Sequence, residues 1–167
     1  RVNKVDDMID IASALIRQPV PRGNRVGIVT IGGGFGVVAT DACRRLGLEI
    51  PKLGQATIDR LSALLPPRWS HGNPVDMTAV SDSSYGCIGA LLKDEGIDGV
   101  MAIGCMGYVP SIPPGLPAKL EKELKLYNQQ MMEGELGMLS GRIDRIDKYQ
   151  KPLIITAVSK AEDSPVI

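Results

Sequence analysis

The chain has 167 residues, with 19 Lys+Arg against 19 Asp+Glu, a formal net charge of zero, 44% hydrophobic and 4% aromatic residues. That length fits one globular domain with an appended element and suffices to bury a core. Balanced charge and few rings leave neither a basic field for nucleic acid nor a surface for stacking bases, and the longest apolar stretch, Gly27 to Ala39, is about 13 residues against the roughly 20 of a membrane span.

In chain order, Val5, Met8, Ile11, Ala12, Leu15 and Ile16 recur at helical spacing until Pro19 and Pro21 end the pattern, which predicts a lead-in amphipathic helix and linker over residues 1–22. Arg25 to Ile31 is apolar and β-branched without alternation, as a strand covered on both faces requires. The glycines that follow lead into a helical stripe of Val38, Ala39, Ala42, Cys43 and Leu46, with the helix expected to start near Phe35 or Gly36 and Gly47 placed to close it. Leu48 to Pro51 reads as a second strand, and Ile58, Leu61, Leu64 and Leu65 as a helix stopped by Pro66-Pro67. Pro74 to Met77 reads as a third strand, Tyr85 to Leu92 as a helix, Gly99 to Ile103 as a fourth strand and Leu153 to Val158 as a fifth. Strands alternating with helices predict an α/β fold, a doubly wound parallel sheet of about five strands in flavodoxin-like order. The connection Pro110 to Gln150 is oversized, and its apolar spacing predicts two helices, a helical insertion before the last strand.

In such a sheet a ligand sits beyond the carboxyl ends of the strands. Three segments meet that requirement: Gly32-Gly33-Gly34-Phe35-Gly36, Asp76-Met77-Thr78 and Gly104-Cys105-Met106-Gly107-Tyr108. Glycines allow positive φ and close approach of a ligand, and a helix start offers unpaired N–H groups with a partial positive charge, so the first segment reads as a phosphate or carboxylate cradle. Tight packing of helix on sheet is the plainer reading of the same glycines. Gly34 to Ala39 also fits the loose G-x-G-x-x-[G/A] dinucleotide pattern, with Glu49 available to a ribose. No Gly-Lys-[Ser/Thr] follows, which excludes a Walker loop. His71, the lone histidine, precedes the third strand and is expected at the amino end of the sheet, in a surface turn. Asn73-Pro74 has turn chemistry. Asp76, ending a buried strand, should hydrogen-bond the loop amides or the Thr78 hydroxyl. Cys43, Cys87 and Cys105 are odd in number and widely spaced, so no zinc set or disulfide framework is expected and a reducing cytoplasm is the simplest setting. Packing is the expected role of Cys105, Met131 and Met132. Arg1 is not an initiator methionine and no leader follows it, so the chain reads as a piece of a longer one.

Gly23 to Thr30, Gly32-Gly33-Gly34-Phe35-Gly36-Val37 with Ala39, Asp41 and Ala42, Gly47-Leu48-Glu49, Leu64-Leu65-Pro66-Pro67 and Asn73-Pro74-Val75-Asp76 together resemble the NDP-forming acyl-CoA synthetases, the family of ADP-forming acetate–CoA ligase and a relative of succinyl-CoA synthetase. The resemblance implies that residues 23–167 form the flavodoxin-like ligase domain of an enzyme that joins a carboxylic acid to coenzyme A at the expense of ATP or GTP, with magnesium, through an acyl phosphate and a phosphohistidine. The CoA-binding domain, the phosphohistidine domain and the ATP-grasp module would be its partners and would carry the cofactors, none being bound by this domain alone. Carried over, Gly33, Gly34, Phe35 and Gly36 would present backbone N–H groups to the phosphoryl oxygens, with Asn73, Asp76 and Thr78 shaping the adjoining loop, and no catalytic or metal-ligating residue here. Relatives commonly have Asn at the place of Ile31 and Pro at that of Phe35, so a polar loop anchor is missing. Two other functions fit parts of the pattern: the regulatory domain of a CoA-ligase-like protein lysine acetyltransferase, and a dinucleotide-binding oxidoreductase domain.

Overall fold

A computed structural model describes residues 4–78, 83–106 and 112–157. Its elements are α1 (Val5–Arg17), β1 (Val26–Thr30), α2 (Gly33–Arg45), α3 (Gln55–Ser62), β2 (Val75–Asp76), α4 (Ser84–Leu92), β3 (Gly99–Met106), α5 (Ala118–Tyr149) and β4 (Leu153–Ala157). All pairings are parallel and the strands lie in the order β2-β1-β3-β4, a flavodoxin-like arrangement. Every residue of β1 is buried, as its unbroken apolar run requires of a strand with helices on both faces.

The period of two along the strands divides the core. Val26 and Ile28 of β1 pack with Ala39 and Cys43 of α2 on one face of the sheet. On the other face Val29, Val75, Val100, Ala102 and Leu153 meet Leu61, Trp69, Ile88, Leu91 and Leu92, with Ile146 and Tyr149 of α5 packed against them. Gln18, just past α1, accepts the Leu153 N–H at 2.7 Å and ties the lead-in helix to β4. No helix among the described residues is long and apolar enough to cross a membrane.

Among the described residues four strands form where the sequence suggests five. The segment Leu48 to Pro51 contributes one bridge, Glu49 to Arg25, rather than a strand, because it shares the free edge of β1 with β2. Along that edge Val26 N–H reaches Glu49 O (2.8 Å) near the start of β1, and Met77 N–H reaches Thr30 O (2.9 Å) at its end. The Asn73 amide fills the gap: its Oδ1 accepts the Ile28 N–H at 2.9 Å, and its Nδ2 donates to Val26 O at 2.9 Å and Pro51 O at 3.1 Å. One side chain thus completes the edge as a strand peptide would. A second difference lies in the long connection, where a single 32-residue helix, α5, replaces the two expected.

Candidate functional site

The carboxyl ends of β1, β2 and β3 converge at the amino end of α2. Thr30, the last residue of β1, is fully buried. Its hydroxyl donates to Gly32 O at 2.9 Å and stands 3.3 Å from the Gly32 N–H, so it fixes the turn from strand to helix. Ile31 N–H bonds Ile103 O at 3.2 Å and joins the turn to β3. This anchor was not singled out from the sequence. A Thr two residues ahead of the glycine that ends a strand is a usable local signal, since Thr readily hydrogen-bonds neighbouring backbone, and it supplies the polar tether that Ile31 cannot.

The helix starts two to three residues earlier than expected, at Gly33, with Gly32 extended at φ −155° as its N-cap. No glycine of the run has positive φ, so close approach, not left-handed backbone, is what their missing Cβ atoms provide. Their surroundings differ. A Cβ on Gly36 would lie 3.2 Å from Pro74 Cβ and from Thr30 Cγ2, and one on Gly33 would lie 3.0 Å from Asp76 Oδ2, whereas Gly32 and Gly34 face open space. Gly33 and Gly34, the first two helical residues, have no carbonyl one turn back to bond, and the positive end of the helix dipole lies there. The Phe35 N–H instead folds back to Gly32 O at 3.2 Å. Phe35 itself is exposed.

Asp76 sits beside Gly33, where the helix start favours a carboxylate. Its Oδ1 accepts the Thr78 backbone N–H at 2.8 Å, whereas the sequence pointed to the loop amides or the Thr78 hydroxyl. The Thr78 Oγ1 is buried with no hydrogen-bond partner, and Thr78 has φ +50°, a costly conformation for a β-branched residue. Asn73 is committed to the edge of β1, so it builds the frame beneath the loop rather than facing it. A cleft of about 360 Å³ runs from Gly33 and Asp76 along α2 past Thr40 to Arg44, with Ser70 and Pro74 on its far side.

Cys105 belongs to the third converging segment, whose backbone is irregular: β3 shifts register between Ile103 and Met106, and Gly104 has φ +67°. The Cys105 Sγ lies 3.6 Å from Ile103 O and 3.8 Å from Val29 O and packs against the core. Gly107 and Tyr108, and the side chains of Met106, Met131 and Met132, lie outside the described residues. Burial pushes the Cys87 thiol up to about 11 and raises that of Cys43, so neither is disposed to ionise as a nucleophile. His71 is exposed, has φ +50°, and stacks on Trp69 with ring centroids 4.6 Å apart. Glu49 pairs with Arg25 at the opposite end of β1 from the glycines, which removes the ribose contact of the dinucleotide reading. The described residues contain no cluster of three His, Cys, Asp or Glu arranged for a metal ion.

No family model matches the chain. It is 40% identical over 103 residues to the acetate–CoA ligase [ADP-forming] II subunit alpha of Pyrococcus furiosus, covering 60% of this chain and 22% of that protein. It is 31% identical to the acetate–CoA ligase [ADP-forming] I subunit alpha of the same organism, covering 100% of this chain and 32% of that one. Among solved structures, the dinucleotide-forming acetyl-coenzyme A synthetase 1 of Ca. Korarchaeum cryptofilum, in complex with phosphate and ADP, superposes with a TM-score of 0.69 at 26% identity over 97% of this chain and 31% of that one. The chain therefore spans about a third or less of each of these relatives. ADP-forming acetate–CoA ligase alpha subunits are thus among the homologues of this domain-sized chain, and sequence likeness and superposition together are consistent with a domain of the NDP-forming acyl-CoA synthetase family.

Proposed function

We propose that this chain serves an NDP-forming acid–CoA ligase, which converts acid, coenzyme A and a nucleoside triphosphate to acyl-CoA, nucleoside diphosphate and phosphate through a phosphohistidine carried on another domain. In this reading the chain stabilises the phosphoryl group and supplies no nucleophile. The observation that carries it is the start of α2, where two amides without helical acceptors stand beside open space at Gly32 and Gly34, at the carboxyl ends of the strands. Gly33 and Gly34 are the donors. Phe35 and Gly36 give the turn its shape, Asp76 closes one flank, Thr78 extends the adjoining loop, and Asn73 holds β1 underneath. The segment Gly32 to Ala39 contains no Lys or Arg, so backbone dipoles must meet the roughly −1.5 to −2 charges of a phosphoryl group. Phe35, Val37 and Val38 are 53%, 63% and 69% exposed. This apolar rim beside the glycines suits the face of the phosphohistidine domain. Coenzyme A and the nucleotide with its magnesium are assigned to the CoA-binding domain and the ATP-grasp module of the same enzyme, in the cytoplasm.

Incubation of the chain with labelled ATP or acetyl phosphate is expected to leave no acid-labile phosphohistidine. Stable labelling that His71→Ala abolishes would overturn the non-nucleophilic role.

A further inference from the structure

A second cleft, of about 480 Å³, opens where α3, α4 and α5 end together. Three cations line it from three different elements: Arg60 in the last turn of α3, Lys93 at the C-cap of α4 and Lys148 in the last turn of α5. No acidic residue lines it. This face of the sheet is the one opposite α2, so the cleft is separate from the glycine run. Arg60 makes one side-chain hydrogen bond, to Thr57 at 3.3 Å, and the Lys148 ammonium lies 5.5 Å from the centroid of the Tyr149 ring. None of the three cations forms an ion pair among the described residues. Each helix end contributes roughly half a negative charge, so three cations leave a surplus of about one and a half positive charges. No acidic side chain lining the cleft offsets that surplus. The rest of the wall is small or apolar: Leu64 reaches so close to Gly86 that a Cβ there would lie 2.8 Å from it, and Tyr149 offers a ring.

We infer that this cleft binds a small molecule carrying two or more phosphate charges. The surplus matches that charge, and cations contributed by separate helices can reach several oxygens at once. The volume suits a compact ligand, and three cations are too few to hold a nucleic acid. The inference is independent of the role given to α2.

The test is calorimetric titration of the 167-residue chain with inorganic pyrophosphate, without divalent cations, at low and high salt. Saturable binding is expected that weakens with salt, persists in Gly34→Asp, and falls by about tenfold or more in Arg60→Gln/Lys93→Gln/Lys148→Gln. Lys93→Gln alone, an exposed change that leaves the core intact, is expected to weaken binding by about threefold. Unchanged affinity in either of these variants, loss of all binding in Gly34→Asp, or preference for an oligo-glutamate peptide over pyrophosphate would overturn the inference. ADP serves as the second probe. If it binds tighter than pyrophosphate and loses that advantage in Tyr149→Ala, the ligand class narrows to nucleotides; if neither probe binds, the site does not exist.

Discussion

Asn73 shows how far one side chain can act. Its amide completes the hydrogen bonding of a strand edge 45 residues earlier in the chain. Asn73→Ala leaves the Ile28 N–H and two carbonyls without partners and is expected to cost about 2–4 kcal/mol in urea unfolding, since an unsatisfied buried polar group costs about 1–3 kcal/mol. Asn73→Asp keeps the acceptor for Ile28 N–H but sets a carboxylate oxygen against the Val26 and Pro51 carbonyls, and at neutral pH should cost at least as much as Ala. The glycines separate in the same way. Gly36→Ala forces a Cβ against Pro74 and Thr30 and is expected to cost about 1–3 kcal/mol. Gly34→Ala meets nothing and should change stability by less than about 1 kcal/mol, in the stabilising direction. Equal losses at the two positions would contradict this division. The local chemistry of Asn73-Pro74 and of the glycine run was legible in the sequence, because turn preference and the absence of a Cβ are properties of the residues themselves. Their long-range partners were not, because nothing in residues 73–74 names Ile28, Val26 or Pro51.

Among the elements, those with unbroken apolar periodicity were legible. α1, Val5–Arg17, spans the apolar positions Val5 to Ile16 that predict it, and β1 differs by a residue at each end. Two expectations failed for physical reasons. Leu48 to Pro51 is too short to hold an edge that Asn73 and β2 also occupy, and it ends in a residue without an N–H. In the long connection the apolar spacing suggests two helices, yet α5 runs unbroken through Gly134 and Gly137. Each glycine costs a helix about 1 kcal/mol, which a run rich in Leu, Lys, Glu, Gln and Met can absorb. Gly134 is exposed and a Cβ on it would meet nothing. Gly134→Ala is therefore expected to stabilise the chain by about 0.5–1 kcal/mol, measured by thermal unfolding; a destabilised variant would mean the helix breaks there after all.

At the scale of the whole molecule, charged contacts fasten the amino ends of β1 and β3. Arg25 at the start of β1 binds Asp98 at the start of β3 through two 2.8 Å hydrogen bonds, which hold the Asp98 carboxyl below its ordinary range. Burial alone would raise Asp94, but hydrogen bonds from Thr57, Gly96 and Gly54 and the charge of Lys151 bring it below as well. Both native values are depressed, so these groups stabilise the fold fully above the unfolded carboxylate value of about 3.9, and that contribution is lost as pH falls through the lower native values. Urea midpoints should decline below about pH 4, and the decline should be shallower in Asp98→Asn, which is already destabilised at neutral pH. In the function proposed above, the phosphoryl group is met by backbone amides and not by cations. The most direct measurement of that claim is an amide NMR titration of the chain with inorganic phosphate. The account predicts saturable shifts of the Gly33 and Gly34 amides that disappear in Gly34→Asp; shifts confined to other residues, or unchanged in that variant, would contradict it.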